Sequence, residues 1–233
     1  MWYLTAPIRS RLSEAPSREP GLLTRGVAAA FGLTARLRAR PALHPRGTVV
    51  RAVVHRDGLA EPVGVPWIDR PGHDDAVVRL SRATGLPRPF PDVLGLAVRV
   101  DPDGDPADLL LSTTGRAPLA RHVLRPRYDA RAATYTSVLP YRAPAGPVLL
   151  GAFPAAARAG RPAFHLAVAA PTGPWRRFAR LELAGTGCGD ADLAFDPVLR
   201  PLPGLTLPEP LATLRAASYR ASREGRVRAS GPA

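Results

Sequence analysis

Between residues 48 and 184 the sequence keeps to one texture: short runs of alternating apolar and polar residues, separated by turns rich in Gly, Pro and Asp. Such runs are too short to bury a helical stripe, and their two-residue period puts one strand face into a core and the other outside. Eight can be delimited: 48–56 (TVVRAVVHR), 75–83 (DAVVRLSRA), 93–101 (VLGLAVRVD), 107–114 (ADLLLSTT), 135–142 (YTSVLPYR), 147–154 (PVLLGAFP), 163–170 (AFHLAVAA) and 175–184 (WRRFARLELA). In the second, Val78 and Leu80 alternate with Arg79 and Ser81; in the eighth, Phe178, Leu181 and Leu183 stand among charged neighbours. Eight antiparallel strands can close on themselves and so remove both exposed sheet edges. The expected fold is mainly β (α+β): a closed eight-stranded antiparallel barrel with a helix before it and one after it.

The flanks differ. Residues 1–19 are irregular, whereas 20–38 place Leu22, Leu23, Val27, Phe31 and Leu37 near helical spacing between Pro20 and Pro41. The stretch 115–134 interrupts the strands and has room for a short helix. A Pro-rich segment at 190–210 is expected to wrap the barrel, followed by a helix at about 209–224. The division is therefore 1–40, an N-terminal segment and helix; 41–189, the barrel; and 190–233, the wrap and terminal helix. All belong to a single domain, which a chain of 233 residues suits.

The net charge of +13 comes from arginine alone, since the sequence contains no lysine. The charge is thinly spread and lacks interleaved aromatic residues, so specific nucleic-acid binding is not expected. A single cysteine, Cys188, excludes an intramolecular disulfide and offers no pair for a metal. Neither a signal peptide nor a membrane-spanning run is expected, which leaves a cytoplasmic protein, monomeric or a small homo-oligomer.

One constellation near the end carries chemistry. In RAASYRASREGR at 215–226 a helix would align Arg215, Tyr219 and Arg226 on one stripe, with Arg215 one turn from Tyr219. A guanidinium that stays protonated favours an adjacent phenolate, and a phenolate is a ligand for ferric iron. Without further support, the same segment reads as a solvated basic helix.

Support comes from the order of the other motifs: HPRG at 44–47, VVRLS at 77–81, DVLGLAVRV at 92–100, DLLLSTTG at 108–115 and LAFDPVLRPLPGL at 193–205. Together with 215–226 they resemble the barrel of haem catalases, whose segments read H-x-x-G, VRFS, DPRGFAVKF, DLVGNN, FxPxxxVPGI and RxxxY with an arginine seven residues on. Each motif alone is weak; the set covers most of 41–228 in the right order. The resemblance implies haem b as cofactor, with peroxide and a small reductant as partners. It gives Tyr219 the iron and Arg215 the task of keeping that tyrosine ionised. Arg79 and Arg226 would hold haem propionates. His44 would shuttle the peroxide proton, Ser81 would orient His44, and Ser112 would line the pocket.

The departures are specific. Ser112 stands where the family has an amide-bearing asparagine. GRAPLARHV replaces its Phe-rich distal stretch, and Pro41 occupies the place of a propionate arginine, with Arg40 one position away. These changes imply an open site less fit for hydrogen peroxide dismutation, favouring peroxidase use of a larger hydroperoxide. The alternatives are a haem-free barrel that binds a ligand and an HD-type metal-dependent phosphodiesterase, the latter resting on His73-Asp74-Asp75. Asp101, Asp103 and Asp105 alternate as in a calcium loop, but Pro106 and Ser112 break that pattern, so DPDGDP is expected to be a hairpin turn. His55, His122 and His165 show no metal-ligand spacing along the chain.

Overall fold

The computed structural model describes residues 46–83, 87, 89–184 and 193–207. Both expected terminal helices, and with them His44, Cys188, Arg215, Tyr219 and Arg226, lie outside the described residues. The strands are β1 (Arg46–Arg56), β2 (Gly72–Arg82), β3 (Leu94–Val100), β4 (Ala107–Thr113), β5 (Tyr135–Thr136), β6 (Tyr141–Ala143), β7 (Gly146–Arg158), β8 (Arg161–Ala169) and β9 (Arg176–Ala184), with a single helical turn, α1 (Pro66–Asp69), between β1 and β2.

The sheet order is β5-β4-β3-β2-β1-β9-β8-β7-β6, and β5 also pairs with β7. That last pairing closes eight strands into an antiparallel barrel and leaves β6 as an extension beside the start of β7. The expected fifth strand, 135–142, is thus two pieces along the same edge of β7. Val138 interrupts it with φ of 64°, a left-handed conformation costly for a β-branched residue. The turn is held by bonds from Val138 N to Thr136 Oγ1 and from Leu139 N to Ser137 O.

Alternation decides what fills the barrel. Val50, Ala52 and Val54 of β1, Val78 of β2, Leu96 and Val98 of β3, Leu109 and Leu111 of β4, and Tyr135 of β5 point inward. Leu150, Phe164 and Phe178 of β7, β8 and β9 complete one continuous core. Burial of this apolar surface is the main force holding the closed form. Tyr135 and Phe164 meet edge to face, 5.8 Å between centroids, and Trp67 of α1 meets Phe178 likewise at 5.7 Å.

Turn chemistry fixes the register. DPDGDP forms the β3–β4 hairpin, with Gly104 at φ 89°, as expected. β7 and β8 are joined through Ala159 and Gly160, both at positive φ (48° and 73°) between the paired Arg158 and Arg161, the geometry of a two-residue primed turn. The 115–134 stretch contributes only a 3₁₀ turn at Ala120–His122. α1 was not evident in the sequence; its Asp69 carboxylate accepts the backbone N–H groups of Val63, Gly64 and Val65, all at 2.8 Å.

A buried carboxylate fastens the wrap. Asp108, 1% exposed, accepts Arg99 Nε at 2.7 Å and Nη2 at 2.8 Å. It also accepts the backbone N–H of Asp196 at 2.7 Å. Arg99 in turn donates to the Ala194 carbonyl and lies over the Phe195 ring. Residues 193–200 are thereby tied to the outside of β3 and β4.

Candidate site on the outer face of the barrel

Because the inward positions are taken by the core, candidate polar groups stand on the outward face. The register places them in one row. Gly47 of β1 pairs with Ser81 of β2, Ser81 with Gly95 of β3, Gly95 with Ser112 of β4, Ser112 with Thr136 of β5, and Thr136 with Gly151 of β7. No side chain in this row is larger than threonine. Ser81 and Ser112, buried at 8% and 4% exposure, flank Gly95, which is buried as well, so two hydroxyls border a covered strip of the outer face that carries no bulky side chain of its own. Two strand spacings put their Cα atoms about 10 Å apart.

Arg79 belongs to the next row, between Val49 and Ala97. Its guanidinium lies across Gly47: a Cβ there would come within 2.8 Å of Arg79 Cζ. The cation is thereby brought beside the small-residue row. His44 precedes Gly47 by three residues and lies outside the described part of the chain. The structure thus brings Arg79, Ser81 and Ser112 together on one face; Arg215, Tyr219 and Arg226 lie outside the described residues.

The far end of the row is roofed by the 116–122 segment and the β8–β9 loop. Thr136 Oγ1 donates to the Arg121 carbonyl at 2.6 Å. Over Gly151 lie Phe153 and Trp175, whose ring atoms would meet a Cβ there at 2.9 Å. These two rings pack edge to face with centroids 5.0 Å apart. Arg116 stacks on Phe153 at 4.7 Å and Arg121 on Trp175 at 4.5 Å. Trp175 Nε1 donates to the Arg116 carbonyl. Arg121 is 2% exposed; its Nη1 donates to the carbonyls of Ala170 and Gly173. Burial lowers its pKa from the ordinary arginine value. His122 beside it contacts the carbonyls of Val138 and Pro171. Aromatic surface is therefore supplied here from β7 and the β8–β9 loop.

The competing metal reading does not assemble. His73 points outward to His55, whereas Asp74 faces the barrel mouth and binds Arg56 Nε at 2.7 Å. Adjacent strand residues face opposite ways, so the HD dipeptide cannot offer both side chains to one ion. Among the described residues no three His, Cys, Asp or Glu side chains gather as a metal site. The barrel interior is lined by buried apolar side chains that form one continuous core. Among the described residues no helix is long and apolar enough to cross a membrane.

Comparison of the whole fold with solved structures yields catalases. A fungal catalase superposes with a TM-score of 0.59 at 13% identity, covering 94% of this chain and 66% of that one. The fold is catalase-like. Catalase A from Saccharomyces cerevisiae gives 0.58 at 11% identity, covering 94% of this chain and 67% of its own. A bacterial catalase gives 0.57 at 13% identity, with 95% and 64% covered. The chain therefore spans about two thirds of the length of the catalases it matches. No protein-family profile matches the sequence, and no curated protein matches it significantly.

Proposed function

We propose that the protein is a haem-dependent enzyme that processes peroxides, a peroxidase first and a catalase second. The observation that carries this reading is the row Gly47–Ser81–Gly95–Ser112 with Arg79 alongside. The residues present suit one face of a flat, carboxylate-bearing macrocycle. The row has no side chain beyond a hydroxymethyl to hold such a ring away, and a guanidinium stands next to it for a propionate. Tyr219, kept ionised by Arg215, would hold the other face, with Arg226 on a second propionate.

Haem supplies the redox chemistry; the chain sets its ligand, charge and access. His44 takes a proton from one peroxide oxygen and returns it to the departing one, as an imidazole titrating near neutrality can. Ser81 would orient that imidazole. Ser112 offers a short hydroxyl where an amide would hold a second hydrogen peroxide, so oxidation of a reductant outruns oxygen release.

The test loads full-length protein with hemin and compares oxidation of a reducing dye by an organic hydroperoxide with oxygen release from hydrogen peroxide. Dye oxidation is expected to dominate, and His44→Ala to lose about a hundredfold or more while keeping the Soret band. Undiminished turnover in His44→Ala would remove the acid–base assignment.

A further inference from the structure

His55 and His73 are direct partners across β1 and β2, at the opposite end of β1 from Gly47. Eight residues of strand separate His55 from the serine row, roughly 26 Å. Both side chains are exposed, and their Nδ1 atoms are 3.1 Å apart. The ring centroids are separated by 4.6 Å and the planes inclined by 66°. Between neutral imidazoles this is a hydrogen bond, one ring donating and the other accepting. It is also the spacing of two neighbouring ligands on one ion. Nitrogens this far apart, each about 2.05 Å from a metal, subtend roughly 98° at it, between square-planar and tetrahedral angles.

The backbone that carries them is already fixed. β1 is laddered to β2 on one side and β9 on the other, so binding needs only side-chain rotation and a tautomer shift that moves the shared proton from Nδ1 to Nε2 of its ring. On β9 Arg180 stands opposite His55, but its charge is engaged by Glu182 at 2.6 Å and the Ala156 carbonyl. Arg180 also separates His55 from His165, which lies two strands away and is no third ligand. One row on, Asp75 of β2 stands across Val53 from Glu182, whose charge is taken by Arg180, so Asp75 is the carboxylate on this face nearest His73 along its own strand.

We propose that His55 and His73 form an exposed two-imidazole site for a divalent transition metal, Cu²⁺ or Ni²⁺ ahead of Zn²⁺, with water completing the coordination. Imidazole nitrogens suit these ions, and affinity rises toward Cu²⁺ in the divalent series. The site is independent of haem, so it stands or falls separately from the peroxide reading.

Full-length protein without added hemin, titrated with CuCl₂ and NiCl₂ in a non-coordinating buffer at neutral pH, tests it. Wild type should take up one Cu²⁺ at micromolar concentration, with the electron paramagnetic resonance signature of two nitrogen ligands and a raised Tm. His55→Gln and His73→Gln should each weaken uptake at least tenfold and abolish the Tm shift, while His165→Gln should change neither. Far-UV circular dichroism verifies that the variants fold, as exposed positions should allow. No uptake by wild type, or uptake unchanged in both His55→Gln and His73→Gln, overturns the proposal.

Discussion

Ser81 and Ser112 are joined through one residue: each pairs directly with Gly95, from opposite sides of β3. Both hydroxyls consequently border the same buried strip of the outer face, and what can lie against it depends on Gly95 having no side chain. Gly95→Leu should abolish hemin uptake, read as loss of the Soret band, while far-UV circular dichroism stays that of the barrel. The extra bulk should cost about 1–3 kcal/mol of stability. Normal hemin uptake by a folded Gly95→Leu protein would mean that nothing binds over this strip.

Asp108 should matter for stability out of proportion to its size. Its carboxylate holds Arg99 and the Asp196 backbone at once, and removing one partner of a buried pair costs about 3–5 kcal/mol. Urea unfolding of Asp108→Ala should show a loss of that order. A loss below about 1 kcal/mol, the scale of an exposed pair, would show that the wrap is held by other contacts.

Tyr135 gives a pH dependence with a definite sign. Burial, and secondarily the Asp129 carboxylate, raise its phenol pKa well above the ordinary 10.0, and the hydroxyl donates to the Ala130 carbonyl at 2.7 Å. The native state keeps this proton more tightly than the unfolded chain, whose phenol titrates at about 10. The contribution is therefore fully present below that pH and is lost as pH rises past it, by up to about 1.4 kcal/mol per unit. Unfolding midpoints measured between about pH 9 and 11 should fall less steeply in Tyr135→Phe than in wild type. Parallel curves would contradict the assignment.

Most of the barrel was legible because half-buried strands write a two-residue period into the sequence, as Val78 to Ser81 do. The fifth strand was not legible as two pieces, since the left-handed turn at Val138 is imposed by contacts with Thr136 and Ser137 that no propensity records. α1 escaped because four residues carry no period, and it depends on Asp69 capturing three backbone N–H groups. Arg79, Ser81 and Ser112 were singled out residue by residue through the catalase-like order of motifs, and strand register puts them on one face. The row shared by Ser81 and Ser112 was not legible, because register is a property of paired strands. The role of Asp108 was hidden for a similar reason: one of its partners is 88 residues away. Arg121 and Trp175 were unreadable as a stack because their segments meet only after the barrel closes.

The central claim is that this barrel holds haem through Tyr219, and a hemin titration of the full-length protein followed by its absorption spectrum tests it most directly. Wild type should develop a Soret band with ferric haem bound up to one per chain, and Tyr219→Phe should lose that band while far-UV circular dichroism remains unchanged. A wild-type protein that stays colourless with added hemin, or a Tyr219→Phe protein that binds it equally well, would contradict the account.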